Sequence, residues 1–364
     1  MPLPDAEVSL RLLREVGSPP TAPYREERAR AAIETELARA GITRRRDHWG
    51  NVIAETRRGA PRHAVALVAH MDHPAFEVFE ARGRVGRARI RGGLFRETFR
   101  PPVRLAVQRD GHAVAALGTD LVQDVEIVNY STGHLRIEAE EDLRVGDWAV
   151  LDLPAFERDG DDVRMRAADD LAGCALMIAV LEILQREPRA HHCYALFTRA
   201  EEPGLFGARL LAEERAIPRQ TIVVSIETSM QLSGAEPRRG PVIRVGDFHH
   251  TFDDKAESYL RVGAERLAAM TPPVPAQRML MYGGTCEGSA FIDAGYATTA
   301  IALPLRNYHN HGPAGPLPEI ISLADFRAGA ALLVEGVLAA AEDATEAYRV
   351  STGPVPLEIK RLLE

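Results

Sequence analysis

The sequence predicts an α/β protein with a mostly parallel sheet covered by helices on both faces, and a small antiparallel β-barrel domain inserted into it. Continuous apolar runs of strand length alternate with segments of helical periodicity, as in sheets buried between helices. From about 74 to 162 this pattern gives way to short alternating segments separated by turn residues. We therefore expect residues 1–73 and 166–364 to form one α/β domain, and residues 74–165 to form an inserted β domain.

The first α/β segment contains two predicted helices followed by two predicted strands. Helical periodicity covers residues 5–16 and 24–40, and Gly41 ends the second helix. The strands are expected at 51–55 and 63–69. The second of them is a continuous apolar run, which favours a strand buried on both faces.

The second α/β segment repeats the alternation of helix and strand. Helices are predicted at 171–186, 205–216, 255–270 and 323–346, and strands at 193–198, 221–226 and 297–303. Such connections produce parallel strands. Open sheets of this kind bind ligands beyond the carboxyl ends of their strands. Polar residues at those ends are therefore the first candidates for a functional site.

Composition narrows the class of protein. The chain has 364 residues and a net charge of −8, which argues against nucleic acid as the main partner. Its three cysteines have no CxxC spacing, so neither a disulfide framework nor a zinc ribbon is expected. The sequence shows no signal-type N-terminus and no apolar run of membrane-spanning length. A cytoplasmic protein without a membrane partner is the resulting expectation.

Each predicted core strand of the α/β part is followed by residues of metal-ligand type. In chain order these candidates are His70 and Asp72, Asp169 at the start of a helix, Glu201 and Glu202, Glu227, and His309. Because the carboxyl ends of parallel strands meet at one edge, we expect the side chains to converge. Nitrogen and oxygen ligands without thiolates suit zinc, cobalt or manganese. Five ligands fit two ions that share a carboxylate.

The positions of these residues suggest their roles. Asp169 is the natural bridge, since a carboxylate offers two oxygens and this one is central in chain order. Asp72 is expected to orient His70, as carboxylates commonly do for a metal-bound histidine. Glu201 and Glu202 should point in different directions, so that one can bind metal while the other acts as general base.

Alternatives remain for each motif. The acids at 169–170 suit the N-terminus of a helix as caps, and the other candidates could be solvated side chains at strand ends. Either His309 or His311 could be the last ligand, and the spare histidine could bind a substrate carbonyl oxygen. The Gly-rich loop around Gly284 and Thr285 could line the substrate pocket or simply pack against the following helix.

Together these motifs resemble the glutamyl-aminopeptidase family of co-catalytic metallopeptidases, which includes the tetrahedral (TET) aminopeptidases. The matching stretches are 69–72, 145–147, 168–170 with 173–174, 197–198 with 201–202 and 204, 283–285, and 306–309. The resemblance implies a zinc-peptidase type of α/β fold. It also implies that the inserted β domain helps to build homo-oligomers, from dimers up to dodecamers, and controls substrate access.

The resemblance further implies an activity and a division of roles. Two divalent metal ions, zinc before cobalt or manganese, would be held by His70, Asp169, Glu202, Glu227 and His309. Asp169 would bridge them, Glu201 would be the general base, and Asp72 would orient His70. The expected reaction removes N-terminal residues from peptides, with attack by a metal-bound hydroxide and proton transfer through Glu201.

Departures from the family pattern concern specificity. His73 stands where the family usually has Glu, Glu227 where Asp is more common, and Cys286-Glu287 in place of Asp-Ala. Leu171 replaces the usual Arg. We expect His73 and the 286–287 pair to touch the substrate side, whereas Glu227 keeps a carboxylate and should still bind metal.

Two other functions compete with an aminopeptidase. A related amidase, carboxypeptidase or deacylase could use the same dinuclear site on different substrates. A non-catalytic peptide-binding scaffold is the alternative outside the enzymes, although no ligand or base is missing here. A glycosidase is disfavoured, because it needs two facing carboxylates about 5 Å or more apart, and adjacent glutamates seldom provide them.

Overall fold

The computed structural model describes residues 3–95, 102–110, 112–127, 130–345 and 354–364, without the side chains of 122–132. The helices are α1 (Ala6–Gly17), α2 (Glu27–Arg39), α3 (Ala168–Arg186), α4 (Phe206–Glu213), α5 (Asp254–Ala268), α6 (Glu287–Asp293), α7 (Leu323–Glu342) and α8 (Leu357–Leu363). Strands of the α/β part are β1 (Thr43–Arg46), β2 (Val52–Arg58), β3 (Val65–His70), β12 (His191–Thr198), β13 (Ile222–Met230), β14 (Val242–Arg244), β15 (Gln277–Met279) and β16 (Thr298–Leu305). The others are β4 (Ala75–Arg82), β5 (Val85–Arg91), β6 (Val103–Arg109), β7 (His112–Ile127), β8 (Tyr130–Ala139), β9 (Trp148–Leu151), β10 (Phe156–Asp159), β11 (Asp162–Met165) and β17 (Glu319–Ser322).

An eight-stranded sheet forms the centre of the α/β part, in the order β1-β2-β12-β3-β13-β16-β14-β15. The four central strands, β12, β3, β13 and β16, are parallel. Antiparallel pairs extend the sheet at both sides, through β2 and β1 and through β14. All residues of β3 and of β16 are buried, as expected for strands covered on both faces. The predicted fold class is confirmed.

Helices cover both faces of this sheet, as the side chains of β3 show. Leu67 belongs to the main apolar core, which it shares with α1, α3, α5 and α7. Ala66 and Val68 belong to a second core, which they share with α4 and α6. Since successive side chains of a strand point to opposite faces, the two cores lie on opposite sides of the sheet.

The inserted β region forms a closed antiparallel barrel in the strand order β4-β5-β8-β7-β6-β9. Its interior is filled by apolar side chains such as Phe76, Leu105 and Leu135. Its first strand begins at Ala75 and its last strand ends at Leu151. The hairpin that follows, β10 and β11, forms a separate three-stranded sheet with β17. The end of the predicted 74–165 segment therefore pairs with the α/β part.

Predicted helix boundaries differ from the observed ones where the backbone enters the left-handed region. Tyr24 has a φ of +68°, so α2 begins at Glu27 and not at residue 24. The last long helix ends at Glu342, followed by Asp343 with a φ of +53°. The predicted end at 346 lies outside the described residues. Among the helices that the structure describes, none has the length and apolarity needed to cross a membrane.

Candidate metal centre

The predicted site residues converge at the carboxyl edge of the central strands. The wall of one cavity of about 1060 Å³ includes His70, Asp169, Glu201, Glu202, Glu227 and His309, together with Gly284 and Thr285 of the Gly-rich loop. Neighbouring parallel strands end side by side, which is why residues far apart in the chain meet here.

The first ligand group consists of His70, Asp169 and Glu227. One ligand atom from each residue lies within 4.8 Å of the others, and all three residues are buried. His70 Nε2 is 3.3 Å from Asp169 Oδ1. Its Nδ1 is 3.1 Å from the carbonyl oxygen of Asp72, which leaves Nε2 directed towards the group. Glu227 Oε1 is buried and has no hydrogen-bond partner among the described residues.

The second ligand group consists of Asp169, Glu202 and His309, again with ligand atoms within 4.8 Å of one another. His309 Nε2 is 3.4 Å from Asp169 Oδ2 and 3.5 Å from Glu202 Oε1. Its Nδ1 contacts the carbonyl oxygen of Gly93, in the segment that leaves the barrel strand β5. Asp169 therefore places one oxygen in each group, and its bridging role stays a prediction.

The donor set fits two divalent cations. Each group contains a buried carboxylate oxygen, on Glu227 or on Glu202, for which the described part of the chain offers no hydrogen-bond donor. Without a cation, burial raises the pKa of both carboxyls to about 7, because the charged form loses its hydration. A cation between these oxygens would remove most of that cost.

Glu201 lies beside the two groups and belongs to neither. Its side chain is 13% exposed, lines the cavity, and has Oε2 3.9 Å from His70 Nε2. Burial raises its pKa well above the ordinary value, and the nearby carboxylates of Glu227 and Glu202 raise it further. A carboxylate with a raised pKa, next to a metal site but outside it, is suited to proton transfer.

Asp72 holds the loop that carries the two glutamates. Its carboxylate is fully buried and accepts the backbone N–H groups of Glu201 at 2.9 Å and Glu202 at 3.1 Å. His70 Nδ1 is 3.6 Å from the same carboxylate and closer, at 3.1 Å, to the Asp72 carbonyl oxygen. The predicted orienting role of Asp72 remains a hypothesis, and the structure adds this contact with the loop.

Asp169 and Asp170 lie in the first turn of α3 but do not cap it. The N-cap residue is Ala167, and both aspartates have non-helical backbone angles. The N–H groups of Ala168 and Asp169 donate instead to the carboxylate of Glu319, at 2.7 and 2.9 Å. Because Glu319 satisfies this helix terminus, the carboxylate of Asp169 can face the cavity.

Glu319 holds the backbone of two candidate ligand residues, and the sequence pattern does not predict this role. It is fully buried on β17 and also accepts the backbone N–H of His309 at 2.8 Å, so one carboxylate holds the backbones of Asp169 and His309. Its only local signal is an acid that precedes the two isoleucines of a short strand. A buried acid in such a position requires partners, but the sequence does not show which.

His73 and Glu287 lie behind the site, outside the described lining of the cavity. His73 is buried, with Nδ1 2.6 Å from the Asp169 carbonyl oxygen and Nε2 3.0 Å from Asn310 Oδ1. Glu287 is fully buried and accepts the hydroxyl of Thr198, and burial raises its pKa to about 8. Neither side chain lines the described cavity, and the expectation that these residues touch the substrate stays a prediction.

The structure separates His309 from His311. His309 lies in the second ligand group. The ring of His311 packs against Phe95, with centroids 5.2 Å apart, and lies outside the described cavity lining. Its predicted contact with substrate stays a hypothesis.

We expect His309→Ala to remove metal from one of two sites, because it deletes the only nitrogen donor of the second group. The matched variant His311→Ala is expected to keep the wild-type metal content. Elemental analysis of both variants after purification without chelator provides the measurement. Metal loss in His311→Ala alone would reassign the ligand.

Comparison with known proteins gives the family. A family model described as M42 glutamyl aminopeptidase matches residues 132–332, more than half of the chain. The chain belongs to this family. The M42 protein is 27% identical over 334 residues to an Acetivibrio thermocellus protein described as "Putative aminopeptidase", a match that covers 86% of this chain and 93% of that protein.

Solved structures show the same fold. An aminopeptidase from the archaeon Desulfurococcus kamchatkensis has 21% identity and a TM-score of 0.76, covering 96% of this M42 chain and 99% of that one. The Pyrococcus horikoshii TET1 peptidase, which can assemble into a tetrahedron or a large octahedral shell, has 21% identity and a TM-score of 0.73. The match covers 90% of this chain and 99% of that one. The predicted family is confirmed, and with it a peptide hydrolase of the aminopeptidase class. Metal dependence is a property of this family.

Proposed function

We propose that this M42 aminopeptidase removes N-terminal residues from peptides with the help of two adjacent divalent metal ions. The observation that carries the proposal is the membership of Asp169 in both ligand groups, with His70 and Glu227 on one side and Glu202 and His309 on the other. Zinc is the first candidate and cobalt or manganese the alternative, given nitrogen and oxygen donors. When bound, such ions lower the pKa of water and polarise a carbonyl group.

Glu201 is the proposed general base. It would accept a proton from the attacking water and pass that proton to the leaving amine, a role that requires a carboxylate at the cavity surface. Its partly exposed side chain next to His70 supports this role. Gly284 and Thr285 are proposed to contact the substrate, since both border the same cavity.

The proposed function predicts a dependence on the free N-terminus of the substrate. Metal-replete protein is expected to hydrolyse peptides and aminoacyl anilides with a free amine, because a carboxylate of the cavity lining that holds no metal can pair with the protonated amine. Chromatography of peptide digests can compare each substrate with its N-acetylated form. Release of the N-acetyl group, or of the C-terminal residue, would instead favour a deacylase, amidase or carboxypeptidase. No cleavage of any substrate by metal-loaded protein would favour the peptide-binding scaffold.

We also propose that the chain forms homo-oligomers, from a dimer up to a dodecamer. The support comes from related assemblies, since the structure of PhTET1-12s is a dodecamer and shares the fold with a TM-score of 0.73. Peptides are the proposed partners, without nucleic acid or membrane. The cytoplasmic location stays a prediction from the sequence.

A further inference from the structure

Residues 199–202, here called the base loop, carry Glu201 and are held by side-chain oxygens at four consecutive backbone N–H groups. The first N–H, of Arg199, donates to Asn51 Oδ1 at 3.0 Å. The second, of Ala200, donates to Glu26 Oε1 at 3.1 Å. Backbone N–H groups away from water need such partners, so these side chains determine where the loop lies.

The third and fourth N–H groups of the base loop donate to the single carboxylate of Asp72. Asp72 lies two residues after His70 and therefore links the loop to the first ligand group. Glu26 lies elsewhere, directly before α2, and neither Glu26 nor Asp72 lines the described cavity. With Asn51 directly before β2, the base loop is thus positioned from three separate parts of the chain.

Glu26 makes the more extensive contact. It is fully buried, and its Oε2 accepts Arg199 Nε at 2.7 Å while its Oε1 also accepts the N–H of Tyr24 at 2.9 Å. Arg199 Nη1 in turn donates to the Trp49 carbonyl at 2.9 Å. One carboxylate therefore holds both the backbone and a side chain of the base loop, and charge-assisted hydrogen bonds of this kind are comparatively strong.

The backbone conformation of the loop requires such a contact. Ala200 has a φ of +50°, in the left-handed region that residues with a Cβ atom rarely adopt. Conformations of this kind persist only where the surrounding structure holds them. The hydrogen bond from Ala200 to Glu26 acts at this residue, immediately before Glu201.

We propose that Glu26 is a positioning residue for the reaction, which sets the location of the Glu201 carboxylate through Arg199 and Ala200. This inference rests on the proposed function, because it assumes that Glu201 transfers the proton. Glu26 touches neither the ligand groups nor the cavity. Substitution of Glu26 should lower the rate at which bound substrate reacts and leave the binding of substrate nearly unchanged.

The test compares Glu26→Gln with wild type in metal-saturated full-length protein, on an aminoacyl anilide. We expect kcat to fall by about 10- to 100-fold, as misplacement of a reacting group can cause, while KM changes by less than about threefold. The control Glu34→Gln, within the helix α2 that follows Glu26, removes the ion pair with Arg46 of the edge strand β1 and should retain the wild-type kcat.

Further variants separate positioning from stability. Since Glu26 acts through Arg199, the double variant Glu26→Gln/Arg199→Gln should lose no more kcat than the more impaired single variant. Should Glu26→Gln fail to fold, Glu26→Asp provides the test, because it keeps the charge on a shorter side chain. Its kcat is expected to lie below that of wild type, while KM stays nearly unchanged.

Three outcomes would overturn the inference. One is a wild-type kcat in folded Glu26→Gln. Another is a wild-type kcat together with a higher KM or a lower melting temperature. The third, a double variant whose losses multiply, would show that Glu26 and Arg199 act separately. A wild-type enzyme that cleaves no substrate would instead refute the proposed function, and this inference with it.

Discussion

Glu201→Gln is expected to lower kcat for aminoacyl anilides by about 10²- to 10⁴-fold, the usual contribution of a general base, while two metal ions per chain are retained. Gln matches Glu in size but cannot accept the proton. Glu201 lies outside both ligand groups, so metal binding should not depend on it. Steady-state kinetics together with elemental analysis of the same preparation measure the two effects.

The neighbouring variant Glu202→Gln is the matched control. Both glutamates donate their backbone N–H to Asp72, so the two substitutions disturb the loop to a similar extent. Glu202→Gln removes a donor of the second group and should lower the metal content. Metal loss in Glu201→Gln with full occupancy in Glu202→Gln would exchange the two roles. Full activity in Glu201→Gln would exclude it as the base.

Removal of metal with a chelator is expected to abolish activity and to lower the melting temperature, more strongly at pH 7 than at pH 5. In the metal-free protein, burial raises the pKa of Glu202 and Glu227 from 4.5 to about 7. The folded state then binds protons more tightly than the unfolded state, so the free energy of unfolding decreases as pH rises from about 4.5 to about 7. Bound cations replace these protons and remove the penalty.

Thermal unfolding at pH 5, 6 and 7, with and without metal, tests this expectation. The difference in melting temperature between the two forms should increase with pH and reach roughly 5 °C or more at pH 7. In metal-free Glu227→Gln, one of the two groups no longer titrates, so the pH dependence should be weaker. A difference that stays constant from pH 5 to pH 7 would contradict the assignment of these carboxylates to the metal site.

Some features of the site follow from local patterns and one topological rule. The buried strand β3 is visible as a continuous apolar run, since a strand covered on both faces needs no polar side chains. The carboxyl ends of parallel strands meet at one edge, which is sufficient to predict that His70, Glu227 and His309 lie close together.

The sequence does not distinguish between neighbouring candidate residues at the same strand end. Glu202 and His309 lie in the second ligand group, whereas Glu201 and His311 do not. Residues one or two positions apart share the same strand end, so the pattern of the sequence treats them alike. The backbone of the loop decides which of them points inward, as the left-handed φ of +51° at His309 illustrates.

Periodicity and order along the chain are sufficient to predict the alternation of helices and strands, an inserted β segment and the residue types of a candidate metal site. The side chains that hold this site in place become apparent only from contacts between distant parts of the folded chain. Glu26 meets Ala200 across 174 positions, and Glu319 meets Asp169 across 150. A buried carboxylate can accept hydrogen bonds from any backbone N–H that folding brings to it, and no local pattern identifies that partner.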